Sequence, residues 1–566
     1  MGRSRTPKPR RPGLSRRDFL KRTGAVLLAL GAAPLLQSCG GHHAEAAPAP
    51  VTGTSGETTF GHSVASGDPL FDRVILWTRI TTNSAGPIPV DFVVARDAAL
   101  SQIVRSGQVT TDLGHDHTVK IDVDGLQANT TYYYRFSTGG VNSPIGRTKT
   151  LPIGDTGRVR MAVVTCASLA QGFFNAYRRI SERADLDLVV HLGDYIYEFG
   201  NGQDGNVRLY DPANEILSLS DYRTRYAQYR RDTDLQEVHR QHPMVAIWDD
   251  HEFADNAYAN GALNHTEATE GSWAARVAAA LQAYYEWMPI RVVDPANLRK
   301  NNRSFALGNL ADLLLLEERV NARSKQLLAD STTNTFTQSG AFTDPNRQIL
   351  GSEEESWLSD KLRSSTAKWK LIAQGVMFAQ LKITPGTIAN GGGTFVNPDQ
   401  WDGYQPARDR VYAILKGNAT TPAIDNVVLL SGDLHSSWAA DLSQDPNNSD
   451  VASGGYDPNT GAGSRAVEFV STSITSPGLR ELANVTVAGL KLVNPHFKYI
   501  ELSKRGYMLV DVDATRVINE WWYVDTVASV SNVQSFGMAL QVQDGARHLI
   551  LASQTAPRLN PPALAP

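Results

Sequence analysis

The spacing of apolar and polar residues changes between Gly154 and Arg158, and this change divides the chain into two kinds of structure. Before it, short alternating runs predict β-strands at Val74–Trp77, Val90–Val94 and Val119–Val123. After it, apolar runs alternate with segments of helical periodicity, which indicates layered α/β structure. The pattern therefore predicts a β-rich module followed by a larger α/β body.

Seven apolar runs of the body are interpreted as strands: Met161–Val164, Leu186–His191, Met244–Trp248, Leu313–Leu316, Trp369–Ala373, Val427–Leu430 and Val467–Val470. Helical periodicity between them predicts helices over 172–184, 220–241 and 272–288. Residues 530–566 end in a proline-rich stretch and show no clear pattern for a helix that could cover a site. We therefore place the body at 151–540 and a C-terminal extension at 541–566.

The β-rich module contains a segment typical of a β-sandwich. Leu126 lies six residues before Tyr132 with turn-forming residues between them, as in a tyrosine corner. Tyr132 and Tyr134 lie on the same side of a strand, because side chains alternate between its two faces. We predict a fibronectin type III-like β-sandwich over 59–150. The alternative is a β-rich extension of the main sheet of the body.

Polar side chains follow five of the predicted strands at the point where each strand ends. Ligands of open α/β sheets bind beyond the carboxyl ends of the strands, so we expect these side chains to converge. They are Cys166, Asp194, Tyr195, Tyr197, Asp249, Asp250, His251, Glu252, Gln374, Asp433 and His435. Carboxylate, imidazole and thiolate groups are common metal ligands. The sequence therefore predicts a metal site at this edge.

The composition is that of a globular protein, and it limits the partners. Of the 566 residues, 42% are hydrophobic and 20% are charged, which argues against a disordered, collagen-like or coiled-coil chain. The formal charge is −4, but residues 1–22 hold nine Lys or Arg and one Asp, so the remaining residues carry a net charge of −12. An acidic body disfavours nucleic-acid binding, including a regulatory role of that kind.

The N-terminal segment has the features of an export signal. The run S-R-R-D-F-L-K at residues 15–21 follows a basic region and precedes an uncharged stretch rich in Ala, Leu and Gly. It resembles a twin-arginine (Tat) signal, which implies the translocation machinery as a partner and a periplasmic, cell-surface or secreted location. We predict a signal peptide over 1–40 and a flexible spacer over 41–58. Processing has two alternatives, a lipobox that would lipidate Cys39 and ordinary cleavage near Ala44–Ala46.

Three motifs of the body occur in the order found in metallophosphoesterases. They are G-D-Y-I-Y at 193–197, D-D-H-E at 249–252 and G-D-L-H at 432–435. Together with Cys166, they resemble the alkaline phosphatase D (PhoD-like) family. Further matches at 284–291, 401–404 and 472–478 extend the resemblance from residue 58 to about 530. It implies an α/β fold, a calcineurin-like metallophosphoesterase sandwich of two mixed sheets flanked by helices, with the N-terminal β-sandwich module.

The resemblance also implies a centre with one iron and two calcium ions, Fe³⁺ and Ca²⁺. The iron ligands of the family correspond to Cys166, Asp194, Tyr197 and His435. A charge-dense cation suits these groups, because a phenol with a pKa of about 10 needs such a neighbour to lose its proton. Calcium prefers oxygen ligands, and the candidates are Asp194 as a bridge, Asp249, Asp250, Asn256 and Asp433.

The function implied by the resemblance is hydrolysis of phosphate monoesters, diesters or both, as in a phosphate-scavenging alkaline phosphatase. His251 is the expected general acid for the leaving group. Phosphodiesterase or phospholipase D-like activity is the close alternative, and an inactive cell-surface binding protein is the alternative of another class. A monoester dianion needs positive charge at the rim. The candidates are arginines of one helical stretch: Arg223, Arg225, Arg230 and Arg231. The alternative is that these four residues form a solvated helix face.

Two segments depart from the family pattern. Where the family has D-D-H-E-x-x-N-N, this chain has Asp255 before Asn256. Where the family has D-T-R after the fourth strand, this chain has Glu317, Glu318 and Arg319. We expect these changes to affect the rim of the site or the residues that support it, and thus substrate preference, more than metal binding.

Overall fold

The computed structural model describes residues 58–329, 334–387, 392–478, 482 and 485–566. The predicted signal peptide, both predicted processing sites and the spacer up to residue 57 lie outside these ranges. Within them, no helix is long and apolar enough to cross a membrane.

The strands are β1 (Val64–Gly67), β2 (Val74–Arg79), β3 (Ile88–Ala95), β4 (Ile103–Thr111), β5 (Thr118–Val123), β6 (Thr131–Thr138), β7 (Val141–Asn142), β8 (Gly146–Lys149), β9 (Arg158–Val164), β10 (Leu188–His191), β11 (Met244–Ala246), β12 (Arg303–Leu307), β13 (Ala311–Leu315), β14 (Thr335–Phe336), β15 (Trp369–Ala373), β16 (Lys382–Thr384), β17 (Thr394–Val396), β18 (Val427–Ser431), β19 (Ser437–Leu442), β20 (Ala466–Val470), β21 (Phe497–Glu501), β22 (Gly506–Asp513), β23 (Arg516–Val524), β24 (Gln534–Gln543) and β25 (Ile550–Leu551). The α-helices are α1 (Asn175–Ser181), α2 (Leu219–Tyr229), α3 (Thr233–Gln241), α4 (Glu267–Glu270), α5 (Trp273–Trp287), α6 (Gly351–Ser364), α7 (Gln405–Lys416) and α8 (Val487–Val493).

Two large mixed sheets form the centre of the body. The first has ten strands in the order β25-β24-β23-β22-β9-β10-β11-β1-β2-β5, and the second has seven in the order β12-β13-β15-β18-β20-β19-β21. Strands β9, β10 and β11 are parallel neighbours, and so are β13, β15, β18 and β20. The carboxyl ends of each parallel group therefore lie at one edge of its sheet, where ligands of α/β folds bind.

The alternation of side chains along the strands explains how the layers pack. Val163 lies in an apolar cluster with Leu371 of the second sheet, whereas its neighbour Val164 lies in a cluster with Tyr177 of α1. On the far face of the second sheet, Ile372 shares a cluster with Leu358 of α6. The layers are thus helix, sheet, sheet and helix, which agrees with the predicted α/β class. Each fully buried apolar side chain contributes about 1.5–3 kcal/mol relative to exposure.

The N-terminal module has its own apolar core but shares a sheet with the body. Strands β3, β4, β6, β7 and β8 form a separate five-stranded sheet, whereas β1, β2 and β5 join the ten-stranded sheet through the parallel pair β1–β11. Apolar side chains of both sheets, such as Leu76 and Phe136, share one cluster. The backbone N–H of Gln127 donates to the hydroxyl oxygen of Tyr132 at 2.8 Å, as in a tyrosine corner.

The predicted strands of the body correspond to β9, β10, β11, β13, β15, β18 and β20. The prediction of one helix over 220–241 is wrong, because the segment forms two helices, α2 and α3. Between them, the side chain of Asp232 accepts hydrogen bonds from the backbone N–H groups of Asp234 and Leu235. This N-cap starts a new helix and ends the continuity that the periodicity indicated.

The C-terminal residues pack against the side of the body opposite the carboxyl ends of the parallel strands. Strand β24 runs across the boundary expected at residue 540 and pairs with β23. Beyond β25, Arg558 forms an ion pair with Asp187, which directly precedes β10, at 2.7 Å. The hydroxyl of Tyr133 donates to the carbonyl oxygen of Ala563 at 2.6 Å. Residues 552–566 therefore lie at the amino ends of the parallel strands and form no helix over the opposite edge.

Candidate metal centre

Loops at the carboxyl ends of the parallel strands bring the predicted ligands together. Donor atoms within each of three groups lie within 4.8 Å of one another: Cys166, Asp194 and His435; Asp194, Asp250 and His251; and Asp194, Asp249, Asp250 and Asp433. These residues follow β9, β10, β11 and β18, so they come from both sheets. Asp194 belongs to all three groups, so its carboxylate lies where a ligand that bridges two metal ions would lie.

The backbone of these loops adopts an uncommon conformation. Of the fifteen described non-glycine residues with positive φ, five lie in these loops, with φ between 55° and 59°: Cys166, Asp194, Asn256, Asp433 and His435. Residues other than glycine seldom adopt this left-handed region, and the surrounding structure must stabilise it. Strain of this kind concentrates at functional sites, and here it coincides with the predicted ligands.

Hydrogen bonds orient the group that contains Tyr197. Its hydroxyl donates to Oδ2 of Asp194 at 3.0 Å and lies 3.3 Å from Nε2 of His435. Oγ of Ser476 donates to the Tyr197 oxygen at 2.6 Å. Nδ1 of His435 lies 2.7 Å from the carbonyl oxygen of Pro477 and must carry the proton of this pair, because a carbonyl only accepts. Nε2 therefore faces the group as an unprotonated nitrogen, the state that binds metals.

The thiol of Cys166 is completely buried beside oxygen atoms. Its Sγ lies 3.0 Å from Oγ1 of Thr165, and its backbone N–H donates to the carbonyl oxygen of Gly193 at 3.1 Å. Burial and the charges of Asp194 and Asp433 raise the pKa of the thiol well above its usual range. A thiolate at this position therefore requires a neighbouring cation.

Four carboxylates share the centre of the site. Burial and repulsion from Asp250 raise the pKa of Asp249 to about 8 and that of Asp433 to about 7, and burial raises the pKa of Asp194 well above its usual range. Burial also opposes ionisation of Asp250, but Arg319 and His251 outweigh it and lower the pKa of this carboxyl. Full ionisation of the four groups therefore needs more positive charge than the protein supplies.

Arg319 is the guanidinium enclosed by these carboxylates. It forms a close ion pair with Asp249 and lies 2.7 Å from Asp399, 3.3 Å from Asp433 and 3.4 Å from Asp250. Even so, Oδ2 of Asp249 is buried with no hydrogen-bond partner among the described residues, and Oδ1 of Asp250 has only the long ion pair with Arg319. Buried acceptors without partners are costly, so these two atoms fit metal cations as their missing partners.

His251 is held by an acidic partner. Its Nδ1 lies 2.7 Å from Oε2 of Glu198, and its ring stacks on Tyr197 with centroids 4.2 Å apart. Although burial opposes protonation, the charges of Asp250 and Glu198 raise the pKa of His251 well above its usual value. A protonated imidazole next to a cluster of metal ligands can act as a general acid.

Comparisons with known proteins identify the family. The family model described as "PhoD-like phosphatase" matches residues 161–521, and that described as "PhoD-like phosphatase, N-terminal domain" matches residues 45–152. The chain belongs to the PhoD-like phosphatase family. It is 38% identical over 511 residues to alkaline phosphatase D of Bacillus subtilis (strain 168), which covers 87% of this chain and 81% of that protein. A solved structure, "Structure of PhoD", is similar with a TM-score of 0.77 and 34% identity, covering 90% of this chain and 94% of the other. This PhoD-like chain is thus a phosphoester hydrolase that depends on metal.

Two acidic residues of this PhoD-like phosphatase support the site, and sequence reasoning gave them no role. Glu252 accepts hydrogen bonds from the backbone N–H groups of Asp194 (3.1 Å), Tyr195 (2.6 Å) and Asp249 (2.8 Å), so it ties the loops after β10 and β11 together. Glu198 holds His251. Both lie in the family motifs or directly after them, which was the available signal.

Asn256 lies beside Asp250, and its role as an amide ligand stays a prediction. Its backbone N–H donates to Oδ2 of Asp250 at 2.6 Å, and its carbonyl accepts from Nε2 of Gln326 at 3.0 Å. The preceding departure from the family pattern, Asp255, donates its backbone N–H to Oε1 of Glu198 at 2.7 Å. That segment thus connects the carboxylates to the partner of His251.

Two glycines allow the loops to approach Asp249. Gly193 has φ 105°, and a Cβ there would collide with the side chain of Asp249. At Gly375, after β15, a Cβ would lie 2.6 Å from Oδ1 of Asp249. Alanine at either position would displace the carboxylate.

The other departures from the family pattern support the loop that carries Arg319. Glu317 accepts from Nε1 of Trp248 at 2.8 Å and from the backbone N–H of Arg319 at 3.0 Å. Glu318 accepts from Nε1 of Trp401 at 2.9 Å. Both carboxylates are thus satisfied by protein donors and lie behind the metal ligands.

The arginines considered for the rim are engaged elsewhere. Arg225 donates to the carbonyl oxygen of Phe199 at 3.0 Å, and the guanidinium of Arg230 lies 4.2 Å from the ring centroid of Trp77. Arg223 pairs with Glu286 at 2.6 Å. Arg231 is exposed and lies 3.4 Å from Asp211. Arg225 and Arg230 are completely buried, and Arg223 and Arg231 pair with carboxylates, so none of the four is available to a substrate.

Proposed function

We propose that this chain is an exported alkaline phosphatase that hydrolyses phosphate monoesters, diesters or both at a centre of one Fe³⁺ and two Ca²⁺. The observation that carries this proposal is the convergence of ligands on Asp194, which belongs to all three groups of donor atoms. The orphaned Oδ2 of Asp249 supports it, because a buried carboxylate oxygen without a hydrogen bond fits a cation as its partner.

The chemistry of the donors suggests how they divide between the ions. A thiol, a phenol, a carboxyl and an imidazole lie together at Cys166, Tyr197, Asp194 and His435, and burial keeps the first two protonated unless a highly charged cation is present. We assign these four to iron. The remaining donors are oxygens, which calcium prefers: Asp249, Asp250, Asn256 and Asp433, with Asp194 as the bridge.

Bound cations of this kind neutralise phosphoryl oxygens and lower the pKa of a water molecule. The residues of the chain supply the rest of the reaction. Glu198 holds His251 with its Nδ1 protonated, and the ring stacked on Tyr197 keeps the second nitrogen near the carboxylates. From there His251 donates a proton to the leaving alkoxide, a contribution of about 10²–10⁴-fold in rate.

The test uses purified mature protein. Its iron and calcium contents are measured together with release of nitrophenol from 4-nitrophenyl phosphate and bis(4-nitrophenyl) phosphate. Asp194→Asn should lose both metals and both activities, whereas Asp204→Asn, whose carboxylate is held by Ser168 and Tyr210 instead, should keep its metals. A metal-loaded parent that hydrolyses neither ester would instead support the inactive binding protein.

We also propose the finer organisation expected from the sequence. It comprises a signal peptide at 1–40, a spacer at 41–58, a fibronectin type III-like sandwich at 59–150, a calcineurin-like body at 151–540 and an extension at 541–566. Tat-dependent export places the mature protein in the periplasm, at the cell surface or outside the cell. The mass and membrane fraction of Cys39→Ala decide between lipidation and ordinary cleavage, because only a lipobox requires this cysteine.

A further inference from the structure

The turn between β21 and β22 carries an arginine without an acidic partner. Arg505 is half-buried, and its Nη1 donates to the carbonyl oxygens of Ser503 at 2.9 Å and Lys504 at 3.2 Å, both in its own turn. Within the described part of the chain, no carboxylate lies within 4.0 Å of the guanidinium, and Nε and Nη2 donate no hydrogen bond. The carboxylate of Glu501, at the end of β21, acts on Arg505 only from a longer distance. A partly buried cation with no carboxylate in contact is costly, so these N–H groups are available to an anion.

The backbone places this guanidinium next to the metal centre. Gly478 follows Pro477, whose carbonyl oxygen accepts a hydrogen bond from Nδ1 of His435. Nη2 of Arg505 lies 3.9 Å from the position that a Cβ on Gly478 would occupy. The carbonyl oxygen of Leu502, in the same turn, would lie 2.7 Å from that Cβ, so glycine at 478 lets this turn approach the segment that orients a predicted metal ligand.

Electrostatics agree with this position. Burial lowers the pKa of Arg505, and the groups of Cys166 and Tyr197 act against this shift, which puts them within range of its charge. Burial lowers the pKa of His435 to about 3, and the charge of Arg505 adds to the effect. Arg505 therefore acts on three of the four proposed iron ligands. Arg319, by contrast, is enclosed by carboxylates and has no free charge to offer.

We propose that Arg505 binds the phosphoryl group of the substrate and makes the site favour phosphate monoesters over diesters. This inference rests on the proposed function. A monoester dianion presents three non-bridging oxygens and a diester monoanion presents two. A guanidinium with two free N–H groups pairs with two oxygens at once, and it gains more from the doubly charged group. Arg505 thus supplies the rim charge that the helical arginines do not.

The experiment uses the metal-loaded mature enzyme and the variants Arg505→Gln and Arg505→Lys. Lys504→Gln is the matched control, because it removes one charge from the same turn. Calorimetry measures binding of inorganic phosphate, and kcat/KM is measured for 4-nitrophenyl phosphate and bis(4-nitrophenyl) phosphate, with metal contents alongside. Arg505→Gln should weaken phosphate binding and the monoester kcat/KM by about 10- to 100-fold, with a smaller loss for the diester. Lys504→Gln should stay within about twofold of the parent.

Equal losses for both esters with unchanged phosphate binding would overturn the inference, as would the same losses in Lys504→Gln. If Arg505→Gln does not fold, the test uses Arg505→Lys, which keeps the positive charge but cannot bind two phosphoryl oxygens at once. Parental monoester activity of Arg505→Lys would then count against the proposal. If the parent hydrolyses neither ester, the proposed function fails. Phosphate binding then decides on Arg505 alone: loss in Arg505→Gln supports its role, and equal or absent binding in both proteins refutes it.

Discussion

The variant Cys166→Ala distinguishes two possible roles of Cys166, that of a metal ligand and that of a buried structural residue. The change removes one buried sulfur atom whose near polar neighbour is Oγ1 of Thr165, at 3.0 Å. Alanine keeps the Cβ and so the same backbone requirements at φ 59°. The loss of packing should cost about 1–2 kcal/mol. Typical domains have about 5–15 kcal/mol of stability, so the variant should remain folded.

The effect on the metal centre should be much larger. Residues that merely support metal ligands change affinity or activity by about 10–100-fold when replaced, so loss of a ligand should cost at least about 100-fold in turnover. If Cys166 and Tyr197 donate charge to Fe³⁺, the parent absorbs visible light, and Cys166→Ala should lose both the iron and this absorption. The assays are metal analysis, the absorption spectrum, 4-nitrophenyl phosphate turnover and the melting temperature.

Thr165→Val is the matched control for this prediction. It removes the hydroxyl next to the sulfur but leaves the thiol, so it should cost about 1 kcal/mol and keep the iron. A folded Cys166→Ala protein with parental iron content and near-parental activity would refute the assignment of Cys166. The chain would then be a two-metal phosphoesterase whose buried thiol only fills space.

Four further predictions concern charge and export. Removal of calcium with EGTA should abolish activity, and added calcium should restore it while iron remains bound. In metal-free protein the raised pKa values of Asp249 (about 8) and Asp433 (about 7) mean that these two carboxyls bind protons more tightly in the folded state than in the unfolded one. Their contribution to the melting temperature should therefore fall as pH rises from about 4 to 8, and the double variant Asp249→Asn/Asp433→Asn should lose this contribution. Glu198→Gln removes a charge that raises the pKa of His251, so the alkaline limb of the rate profile should move to lower pH. Replacing Arg16 and Arg17 by Lys should leave unprocessed precursor in the cytoplasm, as seen by fractionation and immunoblot.

Each of these has a contrary outcome. Full activity after exhaustive calcium removal would contradict the calcium assignment. The same pH dependence of the melting temperature in the metal-free parent and in Asp249→Asn/Asp433→Asn would contradict the raised pKa values of these carboxyls. An unchanged alkaline limb in Glu198→Gln would show that the carboxylate only packs against His251. The control there is Glu215→Gln, since Glu215 pairs with Arg276 at 2.9 Å. Normal processing of the double arginine variant would exclude the Tat route.

The sequence predicted which side chains lie together at the strand ends because their signal is local. An apolar run followed by glycine and a polar residue marks the end of a buried parallel strand, and this pattern gave Asp194 and Asp433 directly. The end of one helix was also readable, since Asp232 is a strong N-cap residue inside the run predicted as a single helix. The prediction of a continuous helix followed the helical periodicity and ignored this N-cap signal, so it was wrong at Asp232.

The residues that were missed depend on contacts between distant segments. Arg225 and Arg230 read as the polar face of a helix, but the loop after β10 covers one of them and the N-terminal module covers the other. Arg505 reads as one residue of a basic turn, and its position beside His435 follows from the close approach permitted by Gly478. Local patterns carry no information on which arginine keeps a free charge, because that depends on which carboxylates the fold brings to each one.

Because their surroundings differ, Arg319 and Arg505 have different roles in the site. Arg319 lies among Asp249, Asp399 and Asp433, so its charge offsets that of the protein's own carboxylates. It lowers the pKa of Asp250 and thereby keeps one ligand ionised before any cation arrives. Arg505 has no such partner, so its charge is available only to what enters the site. Arg319 therefore favours metal binding by keeping a carboxylate ionised, and Arg505 favours binding of an anionic substrate once the metals are bound.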